Sequence, residues 1–212
     1  MITIKSEKEI ELMREACRIA NLAQKAIEAE IKPGMTTLDL DRIAEKAMRD
    51  NGAIPAEKGY PSGIKGVMDF PGSICASVND EVIHGIPSKK VVLKDGDIVS
   101  VDLVAYKNGF NGDCCRTYLV GNVDEKKRKL VEVTKQAFFE GIKYAKKGYR
   151  LGDICHAIGE YVESNGYSVV REFQGHGIGR EMHEDPGIPN YGKAGRGMKI
   201  EPGMTLAIEP MV

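Results

Sequence analysis

The sequence predicts a mixed helix and strand fold built from two helix-helix-strand halves. Two helical segments open the chain, and helical periodicity restarts after residue 124. Short apolar runs rich in β-branched residues follow each helical pair. Residues also recur at a fixed offset: Gly34, Asp39, Asn51 and Gly52 have counterparts at Gly148, Asp153, Asn165 and Gly166, 114 positions later. Separately, Gly96 to Asp102 resembles Gly203 to Glu209 at an offset of 107. Such a duplication implies half-repeats over about 1–121 and 122–212 of one 212-residue domain, the second incomplete, related by a pseudo-twofold axis. Asp102 and Glu209 then occupy equivalent places.

The elements follow in order. Ser6 with Glu9 is a capping-box pattern, and Ile10, Met13, Cys17, Ala20, Ala23 and Ile27 form the apolar stripe of a long first helix. Pro33-Gly34 breaks it. A second helix runs from about Thr37 to Asp50 and stops at Asn51-Gly52. Gly59 to Gly72 reads as loop. Strands are expected at Ile74–Val78, Val91–Leu93, Ile98–Leu103 and Thr117–Val120. In the second half, Asp124 to Lys147 and Gly152 to Ser164 read as helices. Tyr167–Val170 and Thr205–Ile208 read as strands.

Composition narrows the function. The chain has 30 basic and 31 acidic residues, a net charge of −1, so no general nucleic-acid or membrane surface is indicated. The five cysteines are odd in number with no Cys-x-x-Cys pair, which argues against a disulfide framework or zinc ribbon and for a reducing compartment. The start has no apolar signal region, and no run is long enough to span a bilayer. A soluble cytoplasmic protein is the expectation.

His84, Asp102, Asp113, His176 and Glu209 stand at spacings that suit a pair of metal ions. Asp102 ends the run Asp97-Ile98-Val99-Ser100-Val101-Asp102, and Asp113 follows eleven residues later. His176 lies in Gly175-His176-Gly177-Ile178-Gly179, and Glu209 follows Thr205-Leu206-Ala207-Ile208. Oxygen ligands with imidazoles suit Mn²⁺, Co²⁺, Fe²⁺ or Zn²⁺. Two such ions held close need anionic groups to screen them. Taken singly, the residues read otherwise: Asn111-Gly112-Asp113 is good turn chemistry, His84 is a loop residue, and Glu209 is an exposed strand-end charge. His156 reads as structural, and Cys114-Cys115 as small packing residues.

The ordered set Ser77-Val78-Asn79-Asp80-Glu81-Val82-Ile83-His84-Gly85-Ile86-Pro87, Asp102 with Asp113, Gly175 to Gly179 with His183 seven beyond His176, and Ile208-Glu209-Pro210-Met211-Val212 resembles the type I methionine aminopeptidases over essentially all of the chain. The resemblance implies the α+β pita-bread fold, two pseudo-symmetric halves around a curved antiparallel sheet. It implies a cytoplasmic, usually monomeric enzyme that removes the initiator methionine from nascent polypeptides with two divalent metal ions. Asp102 binds one metal, Asp113 bridges both, and His176 and Glu209 bind the other in that picture. Glu209 also takes the proton of the bridging water. His84 and His183 touch the scissile amide, and Tyr60, Phe70 and Cys75 line the methionine pocket. The family continues beyond the Ile-Glu-Pro-Met-Val segment to a second bridging Glu, so the sequence reads as a shortened version. Lys126-Lys127-Arg128-Lys129 reads as a solvated helix face, and action on emerging chains leaves room for a ribosome contact there. Two alternatives stay open: an Xaa-Pro peptidase of the same fold, and a non-catalytic peptide-binding module.

Overall fold

The computed structural model describes residues 2–212. Helix α1 (Glu7–Glu30) begins where the cap predicts: the Ser6 N–H donates to the Glu9 carboxylate at 2.9 Å, and the Glu9 N–H donates to Ser6 Oγ at 3.4 Å. Helix α2 (Thr37–Asp50) follows, started by a reciprocal capping box between Thr36 and Asp39 and closed by Asn51. Strands β1 (Ile54–Pro55), β2 (Cys75–Val78), β3 (Ile98–Lys107) and β4 (Phe110–Leu119) come next. Helices α3 (Glu125–Ile142) and α4 (Leu151–Ser164) precede β5 (Gln174–Gly177), β6 (Glu184–Pro189) and β7 (Leu206–Ala207). At the start of α4 the Asp153 carboxylate accepts the Arg150 N–H at 2.7 Å, and Asn165 closes the helix. Residues 114 apart thus do the same local work in α2 and α4.

Packing divides the chain into two compact units. One is Glu11–Asp124. Its four strands are antiparallel around β3, with β4 on one edge and β1 and β2 sharing the other. Val99, Val101, Leu103 and Ala105 on one face of β3 are fully buried in a core with Ile19, Ala23 and Ile27 of α1 and Leu40, Ala44 and Met48 of α2. Gln24 is buried within that core. Its amide donates to the carbonyls of Val101 at 2.9 Å and Cys114 at 2.6 Å, and its Oε1 accepts from the Tyr118 hydroxyl at 2.7 Å. A buried amide is tolerated when its bonding capacity is met.

Strand β4 starts seven residues before the expected Thr117. The turn is Asn108-Gly109, both with positive φ (53° and 85°), the backbone that a two-residue hairpin requires. Asn111-Gly112-Asp113 therefore lies inside the strand. Val91–Leu93 forms no ladder beyond the Thr36–Val92 bridge, with the Leu93 N–H donating to Met35 O at 2.8 Å. The loop expected over 59–72 is present.

The other unit joins the first ten residues to Glu125–Val212. Its sheet has the order β6-β5-β7, all antiparallel. Ala137 of α3 and Ile154, Ile158 and Val162 of α4 form its core with Val169 and Ile200. Helix α3 stops at Ile142, short of the expected Lys147, because tighter bonds take over: Tyr144 N–H to Gly141 O and Ala145 N–H to Ile142 O. Tyr167–Val170 is not a strand. Tyr167 N–H caps α4 at Val162 O, and Val169 packs into the core, so its apolar pattern reports burial and not a ladder. The amino-terminal segment is held by Lys5, whose N–H donates to Gly203 O at 2.8 Å and whose Nζ meets Glu184 Oε2 at 2.5 Å, both side chains buried. Among the described residues, no helix is long and apolar enough to cross a membrane.

Candidate active site

In the Glu11–Asp124 unit the β3–β4 hairpin carries Asp102 and Asp113. Register pairs Val104 with Asp113 and Asp102 with Cys115. Directly opposed residues share a face, and side chains two apart on one strand share it too. Asp102 and Asp113 therefore lie on one face, opposite to the one that Val101 and Leu103 bury. Cys75 pairs with Asp102 from β2 and adds a buried thiol to that face. Burial pushes the Cys75 thiol far up, and the charges of Glu57 and Asp102 add to the effect. A thiol so disfavoured as thiolate serves as wall and not as nucleophile.

His84 follows β2 in a loop with φ +60°, a left-handed conformation that is uncommon outside glycine. Gly85 explains the placement. Its carbonyl accepts the Ala76 N–H at 2.8 Å, its N–H donates to Ser77 Oγ at 3.1 Å, and a Cβ there would fall 2.3 Å from Ala76 O. The loop is thus pinned to β2, and exposed His84 is held in strained backbone, a pattern common at functional sites.

Three residues expected in the substrate pocket are linked through one that sequence reasoning missed. The Cys75 thiol lies 3.7 Å from Glu57 Oε1 as donor. The Tyr60 N–H donates to Glu57 O at 2.9 Å, and the Phe70 N–H donates to Tyr60 O at 2.9 Å. Glu57 is buried, and burial, then the charges of Asp102 and Asp113, push its carboxyl well above the usual carboxylate range. Its neighbours Ala56 and Lys58 form no recognisable motif, so only the fold reveals it.

In the second unit His176 sits on β5, opposite Ala207 of β7. Glu209 lies two residues beyond Ala207, and its Oε1 is 3.2 Å from His176 Nε2. His176 Nδ1 is 2.8 Å from Gly177 O. A carbonyl only accepts, so Nδ1 carries the proton and Nε2 is left facing the carboxylate. With Nδ1 held by a backbone carbonyl, as in many metal-binding histidines, Nε2 and the Glu209 oxygen stand side by side as potential ligand atoms. The donor set fits a divalent metal. Fully buried Asn190 fixes Glu209 further, its Nδ2 donating to Glu209 O at 2.7 Å.

Glycines let the strands close around His176. A Cβ at Gly175 would fall 2.3 Å from Ala207 O, and one at Gly177 2.0 Å from Asp185 O. The β5–β6 register shifts between His176 and Gly177, a bulge of the kind found beside active sites. His183 lies just before β6, exposed, its ring centroid 4.5 Å from that of His176. Thus Asp102, Asp113 and Cys75 share one sheet face, Tyr60, Phe70 and Cys75 are tied to Glu57, and His176, His183 and Glu209 cluster around β5.

Comparison with known proteins agrees with this chemistry. The chain is 55% identical to methionine aminopeptidase of Clostridium acetobutylicum, over 100% of this chain and 82% of that protein. It is 50% identical to methionine aminopeptidase 1 of Bacillus subtilis, with the same coverage. The crystal structure of methionine aminopeptidase from Thermotoga maritima superposes with a TM-score of 0.94 at 45% identity, covering 99% of this chain and 82% of that one. Solved relatives of this fold share the mixed helices and antiparallel sheet expected from the sequence. The model of metallopeptidase family M24 matches residues 11–212, and the chain belongs to that family.

Proposed function

We propose that the chain is a methionine aminopeptidase that removes the amino-terminal methionine of nascent polypeptides with the help of divalent metal. The observation that carries this reading is the 55% and 50% identity with two methionine aminopeptidases over the whole of this chain and 82% of each of them. The donors within one unit support it: His176 Nε2 and Glu209 Oε1 lie 3.2 Å apart. An Xaa-Pro peptidase or a non-catalytic module is not favoured by these relatives.

Asp102, Asp113, His176 and Glu209 hold the metal in this proposal, and the centre takes two ions from among Co, Mn, Fe and Zn. When bound, such ions polarise the reacting carbonyl and acidify a water molecule, as in the aminopeptidases that are a standing example of two-metal hydrolysis. The carboxylates of Asp102 and Asp113 screen like charges. Glu209 accepts the proton of the attacking water, and Asn190 keeps its backbone in place. His84 and His183 donate hydrogen bonds to the amide as negative charge develops. Tyr60, Phe70 and Cys75 wall the pocket for the first side chain. The enzyme acts as a monomer in the cytoplasm, and Lys126-Lys127-Arg128-Lys129 offers a surface for ribosome contact.

The test is methionine release from Met-Ala-Ser by the purified chain with Mn²⁺ or Co²⁺ supplied, beside Asp102→Ala. Metal-dependent release that the variant loses is the expected result. A chain that binds neither ion and releases nothing would overturn the reading.

A further inference from the structure

His176 and Glu209 are held in the second unit by different means. His176 lies inside the β5 ladder, and its ring is oriented by the Gly177 carbonyl. Glu209 lies outside that frame, because the β5–β7 ladder ends at the His176–Ala207 pair, two residues earlier. Its backbone carbonyl accepts from a side chain instead, the amide of Asn190, at 2.7 Å. Asn190 is the first residue after β6 and has no exposed surface. The bond fixes which way the amide points: Nδ2 donates to Glu209, and Oδ1 is buried without a hydrogen-bond partner. An unmet buried oxygen costs about 1–3 kcal/mol, and an apolar side chain of the same size would fill the space without that cost. What the amide supplies in return is the donor to Glu209.

Asn190 is itself seated on helix α4. A Cβ at Gly159 would fall 3.0 Å from Asn190 O and 3.4 Å from Tyr191 Cα, so the segment lies directly on the helix. Two further contacts continue along α4. A Cβ at Gly192 would fall 3.1 Å from Cys155 Cβ, and one at Gly152 would fall 2.5 Å from Lys193 O. Gly152, Cys155 and Gly159 are spaced by three and four residues and so share one side of the helix. Cys155 and Gly159 are buried there. Close-packed interiors transmit strain, so a shift of Asn190 passes to the carbonyl that it holds. The path runs from a helix through an anchored amide to the Glu209 backbone, and so to a carboxylate 3.2 Å from His176 Nε2.

We propose that Asn190, seated on α4 at Gly159, is a positioning residue that sets the affinity of the Glu209 carboxylate for metal. The inference rests on the metal-dependent reading above. It deepens that reading by giving control of the metal to a side chain that acts only through another. Groups that orient a metal ligand in this way govern affinity by roughly 10- to 100-fold.

The experiment titrates Mn²⁺ into the purified, chelator-treated chain and follows the free ion by electron paramagnetic resonance, with no substrate present. Asn190→Leu keeps the bulk and removes the donor, and one Mn²⁺ dissociation constant should rise by roughly 10- to 100-fold. Gly159→Ala, which crowds Asn190 O, should raise the same constant by a smaller factor, still above about twofold. Lys5→Met disturbs the same unit at the Glu184 pair and should leave every constant within about twofold, which separates positioning from a general loss of stability. In a Glu209→Ala background, Asn190→Leu should add no more than about twofold. Asn190→Leu constants equal to those of the wild type overturn the inference, as does a full loss that persists without the Glu209 side chain. An unchanged constant in Gly159→Ala overturns the seat on α4. Should Asn190→Leu fail to fold, Asn190→Asp, of the same shape and with no donor at neutral pH, carries the same outcomes. A wild type that binds no Mn²⁺ overturns the metal-dependent reading itself and the inference with it, so the two failures remain distinct.

Discussion

In the proposed function Glu209 is both metal ligand and proton acceptor, two tasks that a single substitution can separate. Its Oε1 faces His176 Nε2, and its carbonyl is held by Asn190, so the backbone stays put when the side chain changes. Glu209→Gln keeps the shape and removes the proton acceptor. The expected result is a fall in kcat of roughly 10²–10⁴, the usual weight of general-base catalysis, with KM for Met-Ala-Ser changed less than about threefold. Steady-state kinetics at saturating Mn²⁺ check it, and unchanged turnover would remove Glu209 from the base role. At this scale the neighbourhood of His176, His183 and Glu209 was legible beforehand, because acids and histidines in a fixed order are a chemical signature. Glu57 was not. A single Glu between Ala56 and Lys58 looks like any surface charge, and only its contact with Cys75, distant in sequence, shows it buried.

Among the elements, helix α2 is tethered to the segment after β1 through Glu45. Burial pulls the Glu45 carboxyl upward, but hydrogen bonds from Lys58, Arg49 and Ser73 outweigh it and hold the group at about 2, from an ordinary 4.5. A depressed acid stabilises the fold fully above its unfolded value and loses that contribution as pH falls through the folded one. Wild type should therefore be more resistant to urea than Glu45→Gln by about 1 kcal/mol at pH 6–8, less than the shift itself implies because Lys58 and Arg49 are substantially exposed. The gap should narrow as pH drops from about 4.5 toward 2. Urea midpoints of the two proteins across that range test it, and a gap independent of pH would mean the tether is not ionic.

The helices were the readable elements, since caps and 3.6-residue periodicity are local. Strands were read less well for a physical reason. Strand β4 alternates partly polar side chains, its Asp113 and Arg116 included, and its Asn111-Gly112 imitates a turn that in fact lies at Asn108-Gly109. Tyr167–Val170 has strand composition but is recruited by the helical core. Strands β5 and β6 are glycine- and proline-rich, which hides them from any propensity argument, although glycine is what lets them approach.

For the molecule as a whole, the offset repeat foretold like capping in α2 and α4, while the assignment of the first ten residues to the carboxyl-terminal unit was not visible. Lys5 and Glu184 secure that assignment, with side chains 3% and 11% exposed. Removing one charge leaves the other buried and uncompensated. Lys5→Met should cost roughly 3 kcal/mol in denaturant unfolding, and Lys5→Met with Glu184→Met should recover most of it. A single variant as stable as wild type would show that the pair is solvated in solution.

The same pair has a consequence for synthesis on the ribosome. Lys5 is made before its partner, which comes 179 positions later. At bacterial or eukaryotic elongation rates that interval is about 10–35 s. Meanwhile the core of Glu11–Asp124, drawn wholly from its own residues, has every partner it needs once Asp124 has emerged. The segment around Lys5 must therefore stay soluble and undocked while the residues after it fold, and residues made early find their place late.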